Sequence, residues 1–193
     1  MTFPVLTASL GLLREVASAV PAERLDDPTP CADWTVAQVL LHAAGDQHGW
    51  ASVIAGSPPP SYNPFAPPPR LDGTVDELVT AAIQAAAAAW QQVDPAAESV
   101  ATPLPAVPTT TAEQAAAACA LDAAVHAWDV AVATGQGSPL ASDLAEHLMP
   151  AARATAEPLR GFAYAPALPP QRGDDAVAVL LRYLGRDPNR RAS

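Results

Sequence analysis

Prolines gathered in two stretches, Ser57 to Gly73 and Asp94 to Pro108, constrain this chain more than any other feature of its sequence. Proline lacks a backbone N–H, and its ring clashes inside a helix, so regular structure has to end where prolines cluster. What remains between them is rich in alanine, leucine and valine at helical spacing, with none of the alternating Val/Ile/Thr runs that mark strands. A first helix is expected from about Val5 to Val20, ahead of Pro21. A rigid loop from Pro28 to Thr35 follows, and Asp33 or Thr35 can cap a second helix reaching about Ala55, where Gly56 and Pro58 to Pro60 stop it. Thr74-Val-Asp-Glu77 has capping-box spacing and opens a third helix that reaches about Val93, while Thr111-Ala-Glu-Gln114 repeats that spacing and opens a fourth, ended by Gly135. Further helices are expected over about Ser142 to Glu157 and Asp174 to Leu184. The chain therefore reads as all-α: a four-helix bundle with crossover loops and a short C-terminal helical appendage, in one domain spanning residues 1–193.

A chain of 193 residues can bury roughly 70% of its unfolded surface, so it does not need a metal or a disulfide in order to fold. Its net charge of −10 argues against nucleic acid or an anionic membrane as partner. Every basic residue is arginine. Cys31 and Cys119 form an isolated pair of thiols, the first cation is Arg14, and Arg14, Asp46 and Asp122 interrupt the apolar stretches. These features lead us to expect reduced cysteines and a cytoplasmic protein without a membrane span. A homodimer is left open.

Within the fourth helix, Asp122 and His126 stand four residues apart in an alanine-rich run, so their side chains project from one face, one above the other. No neighbour in that run compensates the charge. A carboxylate and an imidazole so placed can offer two ligands to a divalent metal, and His42, in the apolar run Val39 to Ala44, can offer a third from the second helix. Val36, Val39, Leu40, Ala43, Trp50 and Ile54 form the apolar stripe of that helix, and His42 sits at its flank. His48 is about 120° away from His42 around a straight helix and is expected at the pocket rim or in solvent. Asp46, one turn beyond His42, can be a fourth ligand, an acceptor that orients His42, or a solvated charge. Asp129 shares the face of Asp122 and His126; it can reach a metal, pair with an arginine or cap a neighbouring segment. His147 reads as a surface residue, Cys119 as a small buried one and Cys31 as structural. There is no glycine-rich phosphate loop, no Ser-His-Asp order and no paired CxxC.

Three segments together resemble the DinB-like superfamily, in particular the N-terminal domain of mycothiol-dependent maleylpyruvate isomerases and their actinobacterial relatives. They are Pro28 to His42, Asp122 to Gly135, and the ending Leu184-Gly-Arg-Asp-Pro188 with the Phe162 to Pro170 loop before it. The resemblance implies a four-helix bundle that binds a divalent metal through His42, Asp122 and His126 and uses it to bind a low-molecular-weight thiol such as mycothiol. It implies an S-transferase or isomerase acting on a small electrophilic substrate. The isomerase carries Glu where this chain has Asp122, and the resemblance does not extend to its additional C-terminal domain.

In this reading the metal is Zn²⁺, with Ni²⁺ or Fe²⁺ also suited to His/carboxylate ligation. The open coordination position would receive the thiol, and Asp46 or His48 would handle protons. The Ser57 to Gly73 loop, through Tyr62, Phe65 and Arg70, would cover the pocket and contact an anionic group of the cosubstrate. The same three ligands would serve a metal-assisted hydrolase or a non-catalytic metal- or small-ligand-binding bundle.

Overall fold

Thr35 starts the second helix as its sequence implies: its hydroxyl accepts from the N–H of Gln38, whose side chain accepts in return from the N–H of Thr35. Two of the helix's orphan donors are satisfied by this exchange. The computed structural model describes residues 2–31 and 34–190, so Asp33, the other candidate cap, lies outside the described residues. The helices among the described residues are α1 (Pro4–Ser18), α2 (Val36–Ala55), α3 (Val75–Trp90), α4 (Ala112–Ala133), α5 (Ser142–Leu159) and α6 (Ala176–Tyr183), with a 3₁₀ turn at Ala22–Arg24. Gly56, at φ 67°, ends α2 in the left-handed conformation that glycine adopts without strain. Thr74 and Glu77 form the second capping box. The third is only half formed: Thr111 caps Gln114 N–H, but the Gln114 side chain accepts from the Thr110 hydroxyl instead.

The elements depart from expectation in several places, with α1 ending at Ser18 and α3 at Trp90, two and three residues early. The second proline-rich connection holds a small antiparallel pair, β1 (Val100–Ala101) and β2 (Thr109–Thr110), with Val100 opposite Thr110. The turn between them is closed by the Thr102 hydroxyl donating to the Val107 carbonyl, a tertiary closure with no periodic signature in the sequence. α5 runs on to Leu159 through Pro150 and Pro158. Both prolines lie on its exposed side, where water can satisfy the freed carbonyls. α6 begins two residues later than expected, at Ala176, capped by Asp175, while Asp174 pairs with the buried Arg182.

α1 packs on α3 and α4, and α2 packs on α3 and α4, which closes a ring of four helices; α5 lies against α4, and α6 against α5. Trp50, Trp90 and Trp128 are among the largest fully buried side chains. α4 therefore has neighbours in α1, α2 and α5, and its alanines let those helices approach closely. By length and composition it is the one described helix apolar enough to cross a membrane, contrary to the expectation that Asp122 would exclude it. Yet 78% of its apolar window is buried inside the fold, which is the pattern of a core helix.

Candidate metal centre

α2 and α4 pack directly against each other, and this brings His42 together with the Asp122/His126 pair. The Nε2 atom of His42 lies 3.5 Å from Asp122 Oδ1, and the Nε2 atom of His126 lies 3.4 Å from the same oxygen. Both histidines are buried, each with 7% of its surface exposed. Their other ring nitrogens are engaged. His42 Nδ1 donates to the Pro64 carbonyl at 2.9 Å, and His126 Nδ1 donates to Asp129 Oδ2 at 2.9 Å. A neutral imidazole whose Nδ1 carries the hydrogen presents a bare lone pair at Nε2. Two such lone pairs and a carboxylate oxygen then face one another, three acceptors within 4.8 Å of each other, an arrangement that calls for a proton or a cation between them.

The electrostatics follow from this crowding. Burial alone would raise the Asp122 carboxyl, but the charge and hydrogen bonds of His126, joined by His42, hold it well below the usual carboxylate range. Burial would lower His126; the Asp122 charge, with hydrogen bonds to Asp122, Asp129 and Cys31, overrides it and pushes the imidazole well above its ordinary value. This crowding favours a proton held between the acceptors, and a divalent cation would compete with it for the same lone pairs. The residues fit such a cation: they are a 2-His-1-carboxylate set with both imidazoles oriented through their Nδ1 atoms. In addition, Oδ2 of Asp122 and Oδ2 of Asp46 are buried in the same pocket without a hydrogen-bond partner among the described residues.

Asp46 lines this pocket one turn beyond His42. It does not orient His42, because the Pro64 carbonyl holds that Nδ1. Burial first, and then the Asp122 charge, push its carboxyl well above the usual range. Trp34 and Phe65 flank the His42 ring, with centroids at 4.8 Å and 5.6 Å. The pocket wall continues through Leu104, Leu159, Phe162 and Tyr164 and leaves about 50 Å³ of free space, room for a water-sized group.

The other expected contributors lie elsewhere. His48 faces a separate groove with Pro58 to Tyr62, Leu78 and Ala85, because six helical residues turn it away from His42. Arg70 is exposed and is not part of the pocket lining. Tyr62 is spent on the scaffold: its hydroxyl donates to the Leu41 carbonyl at 2.7 Å, latching the loop onto α2, and burial pushes its phenol up to about 12.

Behind His126 stands a group that sequence reasoning left incomplete. Arg186 grips Asp129, Nε to Oδ1 at 2.9 Å and Nη2 to Oδ2 at 2.8 Å, and donates to Cys31 Sγ at 3.4 Å. The Cys31 thiol donates to Asp129 Oδ2 at 3.3 Å and lies 3.9 Å from His126 Nδ1. Burial raises the Asp129 carboxyl, but the Arg186 charge outweighs it and holds the group below the usual range. Of the roles open to Asp129, the structure thus shows pairing with an arginine. Cys31, His126 and Asp129 also lie at ligand distance from one another, but a cation there would have to displace Arg186 from Asp129. The His42, Asp122 and His126 set carries no such cost. Arg186 and Tyr164 had one signal in the sequence, their places in the ending Leu184-Gly-Arg-Asp-Pro188 and in the Phe162 to Pro170 loop before it; Leu104 and Leu159 had none that pointed to a pocket.

The sequence model of the mycothiol maleylpyruvate isomerase N-terminal domain matches residues 6–131, a span that holds all three candidate ligands and Asp129 but stops before α5 and Arg186. Two uncharacterized proteins of Mycobacterium tuberculosis, from different strains, are each 34% identical over 177 residues, covering 86% of this chain and 87% of their own length. The crystal structure of a His-to-Ala mutant of the mycothiol-dependent maleylpyruvate isomerase matches with a TM-score of 0.56 at 14% identity, over 79% of this chain. This chain spans 66% of that enzyme's length, and the likeness is one of fold.

Proposed function

The chain belongs to the mycothiol maleylpyruvate isomerase N-terminal domain family, with its DinB-like helical bundle, and from that membership we propose that it is a divalent-metal-dependent enzyme. Its cosubstrate is a low-molecular-weight thiol, mycothiol or a close analogue, and its reaction is sulfur transfer to, or thiol-assisted isomerisation of, a small electrophile. The observation that carries the proposal is the convergence of His42 Nε2 and His126 Nε2 on Asp122 Oδ1, with both Nδ1 atoms already held.

His42, Asp122 and His126 would hold the cation, and three protein ligands leave a position open for an exogenous group. The chemistry supplied there is one thing: a thiol entering that position is kept deprotonated, and so nucleophilic, at neutral pH. Everything else falls to the chain. Pro64 and Asp129 keep the two imidazoles aimed; Arg186 keeps Asp129 in place and ionised. Asp46 holds a proton at its buried carboxyl within reach of the pocket and is the group proposed to deliver or collect one during the reaction. Phe65, Leu104, Leu159 and Phe162 line the pocket with apolar carbon. His48 and Arg70 have no role in this proposal.

The test uses Co²⁺ as a spectroscopic probe. Mycothiol titrated into Co²⁺-loaded protein should produce a sulfur-to-metal charge-transfer band and release a proton, and the Asp122→Ala/His126→Ala double variant should give neither. A loaded protein that shows no band with mycothiol or any simpler thiol would refute the thiol reading and leave hydrolysis or metal binding alone.

A further inference from the structure

The outer wall of the pocket over His42, Asp122 and His126 is built from uncharged carbon. Phe65 comes from the loop between α2 and α3, Leu104 from the turn between β1 and β2, Leu159 and Phe162 from the end of α5 and the residues after it. Phe65 and Phe162 meet ring to ring across the mouth, with centroids 5.3 Å apart and planes tilted by 43°. Each keeps a large share of its surface in water, 40% for Phe65 and 65% for Phe162, so neither ring is anchored as a core aromatic is. The free space beneath them is about 50 Å³, which admits a water but not a molecule of several carbons. A substrate therefore has to part or displace these two rings, and it gains by covering them, because aromatic faces bury a large apolar area.

Charge decides the class of substrate. The ionisable side chains facing the space are two histidines, Tyr164 and two carboxylates, Asp46 and Asp122. Among the described residues no arginine lines the pocket, and the chain has no lysine. Arg186, close behind His126, is already taken up by both oxygens of Asp129 and the Leu184 carbonyl. A substrate carboxylate lying against the apolar wall of Phe65, Leu104 and Phe162 would lose its hydration with no arginine or lysine beside it to replace it. A dicarboxylate could place one end at the open metal position but would have to press the other against Phe65, Leu104 or Phe162.

We propose that the substrate of this pocket is an uncharged, largely apolar electrophile that enters between Phe65 and Phe162 and packs its carbon skeleton on them, and that dicarboxylates are selected against. This deepens the metal-and-thiol reading and rests on it for the location of the reaction, but not for the chemistry of the walls.

Dimethyl maleate and maleate share one skeleton and differ by two negative charges. Their binding is measured by calorimetry, with saturation-transfer NMR reporting ring contacts, on the Zn²⁺-loaded and the metal-free protein. The diester should bind at least about tenfold more tightly than the dianion in both, an advantage on the scale of one aromatic contact. Phe162→Ala should weaken the diester several-fold and leave maleate unchanged, and Phe162→Arg should narrow or reverse the preference by supplying the missing cation at an exposed position. Maleate binding as tightly as the diester to the native protein, or a Phe162→Ala variant that binds the diester normally, would overturn the proposal. If the protein fails to retain Zn²⁺, the metal reading falls, and the metal-free titrations still decide the question of substrate class.

Discussion

His126 and Asp129 stand three residues apart on α4 with Nδ1 2.9 Å from Oδ2, and that one hydrogen bond sets which imidazole nitrogen faces the pocket. Asp129 can play this part because it is wholly buried yet ionised, gripped from behind by Arg186. The dyad and its arginine run from the candidate metal centre to the C-terminal segment, so the aim of a residue in the bundle depends on a residue beyond α6.

Breaking the Asp129–Arg186 pair should therefore cost more than a surface ion pair would. We expect Asp129→Asn to destabilise the protein by about 3–5 kcal/mol, because it leaves a buried guanidinium without its counter-charge. Combining it with Arg186→Met should recover a large part of that loss. Chemical denaturation of the three proteins checks this, and equal stabilities for Asp129→Asn and the native protein would disprove it.

The same pair fixes a pH dependence. Asp129 titrates below its unfolded value, so the stability it contributes is complete above the unfolded carboxyl pKa of about 3.9 and is lost as pH falls further. Metal-free native protein should lose stability steeply below about pH 4. The Asp129→Asn variant should show a shallower decline over that range, measured by thermal midpoint against pH.

Metal retention should follow the geometry of α2 and α4. His42→Ala and His126→Ala should each lose stoichiometric metal and stay folded, whereas His48→Ala, in the separate groove, should retain it. Elemental analysis with circular dichroism reads both properties. Metal lost from the His48 variant alone would reverse the assignment.

Two glycines of α2 offer a matched pair. A Cβ at Gly45 would lie 2.8 Å from Pro64 Cγ and 3.3 Å from the Tyr62 ring, while one at Gly49 would make ordinary contact with Pro103 at 3.6 Å. Gly49→Ala should be neutral or stabilising by roughly 0.5–1 kcal/mol, the helical advantage of alanine. Gly45→Ala should be destabilising by about 1–3 kcal/mol. It should also weaken metal binding, because the loop it displaces carries the Pro64 carbonyl that orients His42. Loop displacement would be visible as a changed His42 ring environment in NMR.

What could be read from the residues alone is local. Thr35 as a cap and Thr74 with Glu77 announce their helices, and Gly56 ends one, because caps act over three or four neighbouring residues. The i, i+4 spacing of Asp122 and His126 by itself puts them on one face, and the apolar stripe of α2 turns His42 inward. Tertiary packing decided the rest. Arg186 meets Asp129 across 57 residues of sequence and Cys31 across 155. The pocket mouth joins Phe65 to Phe162, and Tyr62, expected to cover the pocket and contact the cosubstrate, is instead a latch on Leu41. Such contacts depend on the paths of proline-rich connections and on how α5 and α6 settle against α4. No periodicity encodes those paths; they follow from the free energy of the whole packed chain.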